Sequence, residues 1–376
     1  MSEFTVGFIG TDQMARLHAD RVRALDQRIT AVADVDPSAR HRFADEYDVE
    51  TTFKSYEEML ASQSLDVVMV DVPNTLHVDA AIEALEQGTN VLVENPLAHD
   101  YDAARRIERA ENASEATLMV SFTKTFDSDI QTLHSYLDDE RLGDIYEVNV
   151  EFVRRRGIPK LGSWFTEEDA AGGGVVIDIG PHVLHLTMSL LDFPEIETIS
   201  ATTGAQFGVK AEEYTYLDMW GGDPVEDGTF DVEDTMRAFV RTADDTTLHL
   251  NCAWASNTDP RQFVEVLGDE GGATLTPDDG LTIHTTAYGA LADHHIETND
   301  TDPYAATWDY FFDVLRGDRD HDHNTVHEGV VVQELIDAIY RSSEDRREVE
   351  LADGMSADPE DHESPPEDHE STEVDP

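Results

Sequence analysis

The sequence predicts an α/β protein in two unlike parts. An N-terminal parallel sheet is covered by helices on both faces, and a C-terminal α/β domain is built on a mostly antiparallel sheet. Three observations carry this reading. Short apolar runs alternate with amphipathic stretches through residues 5–122, the pattern of repeated strand–helix units. Later segments alternate apolar and polar residues one by one, as half-buried strands do. Residues 352–376 are acidic, carry Pro359, Pro365 and Pro366, and hold almost no apolar side chains. The expected division is therefore 1–122, 123–351 and a solvated acidic tail at 352–376.

The first run, Thr5–Ile9, has the length and composition of a buried strand. Gln13–Leu25 follows as a helix, with Met14, Leu17, Val22 and Leu25 on one side. Further strands are expected at Ile29–Ala33, Asp66–Val70, Asn90–Val93 and Thr117–Phe122, with a helix over Val78–Gln87 stopped by Gly88. Next come a helix at Asp127–Asp139, a strand at Ile145–Val153, and an apolar helix over Gly172–Leu191 that opens on three glycines. Phe239–Arg241, Leu248–Trp254, Gln262–Leu267 and Ala273–Leu275 form the antiparallel sheet, with Leu248, Leu250, Cys252 and Trp254 on one face. Tyr304–Leu315 and Val326–Ser343 are closing helices. The second is announced by the capping box Thr325-Val326-His327-Glu328. In the tail, Pro-Glu-Asp-His-Glu-Ser occurs twice and buries too little to repay chain entropy.

Charge excludes whole classes of partner. The 376 residues hold 81 Asp+Glu against 25 Lys+Arg, a net charge of −56. Lysine occurs only at 54, 124, 160 and 210. Such a surface repels nucleic acid and anionic lipid, which need clustered cations. Self-repulsion on this scale predicts adaptation to concentrated salt, where the Debye length falls to roughly 3 Å at 1 M. With Cys252 alone, no intramolecular disulfide or multi-thiolate metal site is possible. No apolar run long enough for a membrane span and no secretory leader is visible, so the cytoplasm is the expected compartment.

The turn after the first strand, Gly10-Thr11-Asp12-Gln13-Met14-Ala15, opens a helix where a dinucleotide loop belongs. Gly10 suits the tight turn, and free N–H groups at the helix start suit a pyrophosphate. Asp12 stands where a second glycine is expected and brings a carboxylate toward two phosphates. Asp34, at the end of the second strand, is placed to accept both hydroxyls of an adenosine ribose and to repel a 2′-phosphate. No basic residue follows before Arg40, so NAD(H) is favoured over NADP(H).

With these come Val72-Pro73-Asn74-Thr75-Leu76-His77, Val93-Glu94-Asn95-Pro96-Leu97-Ala98, Gly172-Gly173-Gly174 with Asp178 and His182, and Val232-Glu233-Asp234. Arg154-Arg155-Arg156-Gly157-Ile158-Pro159 and Trp164-Phe165-Thr166 lie between. In this ordered set the chain resembles the Gfo/Idh/MocA family of NAD(P)-dependent oxidoreductases over residues 4–351. The resemblance implies a Rossmann domain, a second domain with an open sheet, association into a homodimer or homotetramer through that sheet, and a sugar or polyol substrate. It implies cofactor contacts at Gly10, Thr11, Asp12, Gln13, Met14, Asp34, Pro73, Asn74, His77, Glu94 and Asn95, although His77 also reads as a helix-start residue making local hydrogen bonds. It implies that Asp178 binds substrate and that His182 is the general acid/base.

One departure stands out. Asn95 occupies the lysine position of the family's Glu-Lys-Pro motif, keeping an N–H donor and losing the charge. It is expected to donate to the reacting oxygen. Two alternatives follow from that loss: transient NAD oxidation that ends in glycoside hydrolysis or elimination, and a ligand-sensing regulator without catalysis. Lys124 and Trp164 are candidate substrate contacts, a solvated lysine and a packed tryptophan being the other readings. His185 either tunes His182 or packs. Arg154–Arg156 read as ion pairs or as contacts to an anionic sugar. His321, His323 and His327 read as a solvated loop, and no metal is expected.

Overall fold

The computed structural model describes residues 3–210, 214, 225 and 228–351; the acidic tail lies outside them. The first part is β1 (Thr5–Ile9), α1 (Gln13–Ala24), β2 (Arg28–Ala33), α2 (Pro37–Tyr47), β3 (Thr51–Phe53), α3 (Tyr56–Ser62), β4 (Val67–Val70), α4 (Asn74–Glu86), β5 (Asn90–Val93), α5 (Tyr101–Asn112) and β6 (Leu118–Val120). Its six strands are parallel in the order β3-β2-β1-β4-β5-β6. Val6, Phe8, Val67–Val70 and Val91–Val93 have no exposed surface, as strands covered on both faces require.

The second part comprises α6 (Ser128–Asp138), β7 (Ile145–Val153), α7 (Glu168–Ala171), α8 (Val175–Asp178), α9 (Gly180–Leu190), β8 (Ile196–Gly204), β9 (Thr235–Thr242), β10 (Thr247–Ala253), β11 (Arg261–Gly268), β12 (Gly271–Thr276), β13 (Gly280–Ala287), β14 (Ala290–Ile296), α10 (Pro303–Arg316), α11 (Val326–Asp345) and β15 (Val349–Glu350). Nine strands run β14-β13-β12-β11-β7-β10-β9-β8-β15, antiparallel except where β7 meets β10. Among the described residues no helix is long and apolar enough to cross a membrane.

Two differences from the sequence reading bear on the site. The expected helix over Gly172–Leu191 is broken: α7 ends at Gly172 in a left-handed cap, and α8 stops at Asp178 just before Pro181, which lacks an N–H to continue the ladder. Helix α10 returns to the first sheet, where Trp308, Phe311 and Phe312 pack with Val6, Phe8, Ala15 and Ala19. That return carries Tyr304 to the lining of the crevice described next and Trp308 behind it, onto His18.

Candidate active site

The order of the six-stranded sheet reverses between β1 and β4, and the crevice beyond their carboxyl ends is where such sheets bind ligands. Gly10 has φ +104°, and a Cβ there would lie 1.7 Å from the Asp71 carbonyl oxygen, so only glycine fits. Thr11 Oγ1 donates to Asp34 Oδ2, and the Asp36 N–H donates to Asp34 Oδ1 at 2.8 Å. Each Asp34 oxygen keeps a lone pair for a ribose hydroxyl. The fold also brings Arg40 onto the Asp34 carbonyl, a cation that sequence distance had discounted.

Two of the N–H groups expected to be free at the start of α1 are taken. Asp12 caps the helix, its Oδ1 accepting from Met14 N at 2.7 Å and Ala15 N at 3.1 Å. His77 lines the smaller cavity and makes the local hydrogen bonds of its other reading. Its Nδ1 faces Pro96 O at 2.9 Å and its Nε2 faces Val72 O at 2.8 Å, so it ties the loops after β4 and β5 together. Burial lowers its pKa, while the two carbonyls and Glu94 pull the other way. Asn74 spends its Nδ2 on Ala171 O at 2.8 Å, linking α4 to the second part, and Pro73 is the N-cap position of α4.

Glu94 is held by a residue that sequence reasoning missed. Trp308 Nε1 donates to His18 Nδ1 at 2.9 Å, which leaves the proton of the neutral ring on Nε2, 2.6 Å from Glu94 Oε1. Burial raises the Glu94 pKa, but the hydrogen bonds from His18 and from the Asn95 N–H outweigh it, and the carboxyl titrates below its ordinary value. Glu94 Oε2 accepts from the Asn95 N–H at 3.1 Å and from Asn95 Nδ2 at 3.3 Å. Asn95 Nδ2 also reaches Ser121 O at 3.0 Å. Two acceptors thus fix the amide orientation. The expected donor is already used, and Oδ1 is left buried without a partner among the described residues.

Asp178 and His182 converge despite the helix break. Asp178 Oδ2 accepts from Trp254 Nε1 at 2.7 Å. Burial pushes its pKa up, against the pull of Trp254 and Arg154. Burial, with Lys124, His185 and Arg154 nearby, lowers the His182 pKa to about 4 against the opposing charge of Glu94. His182 is therefore neutral at pH 7. Two cavities meet here. A larger one of about 520 Å³ opens toward the second sheet, and a smaller one of about 200 Å³ toward the crevice. Thr123, Asp178, His182 and Tyr304 line both.

Glu233 sets the start of α8. It accepts from Gly174 N at 3.0 Å, Val176 N at 2.9 Å and Tyr340 Oη at 3.0 Å, while a Cβ at Gly174 would lie 1.9 Å from the Glu233 carbonyl oxygen. Its neighbour Asp234, fully buried, takes the N–H groups of Gln206, Phe207 and Gly208. Glu233→Ala strands two N–H groups and a hydroxyl, so thermal or denaturant unfolding should show a loss of about 3 kcal/mol.

Lys124 lines the larger cavity and pairs with Asp127 at 3.4 Å. Trp164 lines the smaller cavity, not the larger, and stacks on Phe165. His185 is packing: it is 2% exposed, stacks on Phe122 at 3.9 Å and reaches Glu328 at 3.1 Å. Of the three arginines, Arg154 faces the larger cavity, Arg155 pairs with Asp259, and Arg156 binds Ser256 O and Asn257. His321, His323 and His327 turn to Leu118 O, Asp322 and Glu108 respectively. Among the described residues no group of three or more His, Cys, Asp or Glu is arranged to hold a metal.

Comparison with known proteins agrees with this architecture. Residues 4–122 match the model of an oxidoreductase family with an NAD-binding Rossmann fold, and residues 130–274 match the GFO/IDH/MocA C-terminal domain. The chain belongs to the Gfo/Idh/MocA family of oxidoreductases. A D-glucoside 3-dehydrogenase of Escherichia coli K12 is 29% identical over 93% of this chain and 98% of its own. A D-xylose 1-dehydrogenase (NADP(+)) of Haloferax volcanii is 28% identical over 88% of this chain and 94% of its own. The crystal structure of GenD2 from gentamicin A biosynthesis, in complex with NAD, superposes with a TM-score of 0.76 at 26% identity, covering 93% of this chain and 97% of that one.

As a member of the Gfo/Idh/MocA family the chain takes NAD, and its residues fit that cofactor. Asp71 Oδ2, Asn95 Oδ1, Ser121 Oγ and His182 Nδ1 are buried without partners among the described residues, and all four residues line the smaller cavity. A polar ligand there satisfies groups that folding alone leaves unpaired.

Proposed function

We propose that this oxidoreductase moves a hydride between NAD and a secondary alcohol or ketone of a sugar, cyclitol or related polyol. One observation carries the reading: His182 and Asp178 form a wall common to the cofactor crevice and to a second cavity of sugar-accommodating size. NAD supplies the hydride acceptor. The neutral His182 imidazole takes the hydroxyl proton. Asp178, held by Trp254, orients the hydroxyl and steadies the imidazolium that results. Lys124 and Arg154 offer donors to the remaining hydroxyls. Glu94, kept charged by His18, holds the Asn95 amide in place. The dehydrogenase names of the E. coli and Haloferax relatives support a sugar as substrate.

Asp34 supports NAD over NADP, with Arg40 as the residue that would favour the phosphorylated cofactor. Asp34→Asn should narrow the NAD preference by about 10-fold, or about 1.4 kcal/mol, read as the ratio of kcat/KM with the two cofactors. The outer face of the nine-stranded sheet bears Phe239, His249 and Phe263 and supports association of copies. The deciding assay is reduction of NAD by a panel of glucosides, aldoses and cyclitols in molar KCl. Glycoside cleavage without NADH build-up, or ligand binding without turnover, would replace this reading.

A further inference from the structure

Among the described residues, the smaller cavity is lined by four carboxyl groups, Asp12, Asp71, Glu94 and Asp178, and by no lysine or arginine. A dinucleotide brings a doubly charged diphosphate to its Gly10–Met14 end, so binding needs a compensating positive charge. The usual provision, free N–H groups at the helix start, is reduced by the Asp12 cap. Asp71 sits directly beneath the loop. Its carbonyl oxygen abuts Gly10, its side chain is 8% exposed, and its Oδ2 is enclosed without a partner among the described residues. Asp12 and Asp71 both line the smaller cavity at this end, and the Asp12 carboxyl acts on that of Asp71.

We propose that the Asp12–Asp71 pair is a proton-binding site that must be loaded for NAD to bind, one proton from water being held between the two carboxyls beneath the diphosphate. A proton fits better than a metal ion. Asp71 Oδ2 is enclosed, and among the described residues no third carboxyl or imidazole joins the pair in metal-binding geometry. The surrounding groups act in the same direction. Burial, then Asp12 and Glu94, raise the Asp71 pKa well above its ordinary value, and only the Ala15 N–H opposes them. From α4, His77 is turned to Pro96 O and Val72 O, and burial lowers its pKa. From α1, His18 is committed to Glu94. From α9, His182 is neutral at pH 7. The diphosphate adds negative charge and holds the proton more tightly still.

The sign follows. NAD affinity is constant at low pH, where the pair is already loaded, and falls about tenfold per pH unit once the free pair has lost its proton. The test is calorimetric titration of the purified full chain with NAD from pH 6 to 9.5 in molar KCl, in two buffers of different ionisation enthalpy. One proton taken up per NAD on the falling limb supports the proposal. Asp71→Asn, which imitates the protonated acid, should hold the low-pH affinity across the range. Asp12→Gly should restore affinity at high pH. A wild-type affinity independent of pH, or an Asp71→Asn protein that follows the wild-type curve, overturns it. So does affinity set by added Mg²⁺ in place of pH. Absence of NAD binding at every pH would overturn the reading of the crevice itself, a separate result.

Discussion

His182→Ala should lower kcat for alcohol oxidation by about 10³-fold, within the range for loss of a positioned general base. NAD affinity, measured by calorimetry, should change little, because the ring meets the cofactor cavity only at the wall it shares with the larger one. His182→Asn should lose a similar factor: it keeps polarity and a donor but cannot take the proton. The pH profile gives a second readout. With its pKa lowered to about 4, His182 is unprotonated at neutral pH. The oxidation rate set by this group therefore stays level down to about pH 5 and falls as the ring gains its proton near pH 4. Ketone reduction needs the protonated ring and should rise over the same interval. Undiminished turnover in both variants would remove His182 from the chemistry and leave Asp178 without the base it serves.

The second large effect is on stability. With 81 acidic and 25 basic residues, most carboxylates have no cation to pair with, and the ion pairs present are mainly at the surface, such as Arg241–Glu348 and Arg347–Asp345. Exposed pairs contribute little each, so the long-range repulsion dominates at low ionic strength. Raising KCl from 0.1 to 2 M should raise Tm by about 10 °C or more, a gain of several kcal/mol for a chain of this size. Sucrose, which does not screen charge, should not reproduce the rise. Equal stabilisation by both, or none by KCl, would show that repulsion is not what limits this fold.

Legibility varied with how local the signal was. Thr5–Ile9, Asn90–Val93 and Ile145–Val153 occur as strands with the bounds that the residue pattern suggests. The first two are short apolar runs and the third alternates through its centre, Glu147–Glu151. Helix α2 was not legible from periodicity, although Asp36 and Pro37 mark its start, because few large apolar residues follow. The β13–β14 hairpin was obscured by its exposure, with Leu291 90% and Tyr288 108% exposed. Among the site residues, Asp34, Glu94, Asp178 and His182 stood out by motif. His18 did not, since a histidine on an apolar helix face reads as packing until Trp308 and Glu94 are seen on either side of it.

The sequence by itself determined the parallel first sheet, the alternating second one, the crevice after β1, and the acidic surface. Each depends on neighbours a few residues apart or on a simple sum of charges. Only the tertiary structure decided that Asn95 turns its donors to Glu94 and Ser121 and leaves an acceptor bare, and that α10 returns to place Trp308 behind His18. Those outcomes turn on which hydrogen-bonding partner lies within about 3 Å. For Asn95 and His18 that partner is supplied by a distant part of the chain. Asp12 caps its own helix locally, and only packing brings Asp71 into the same cavity.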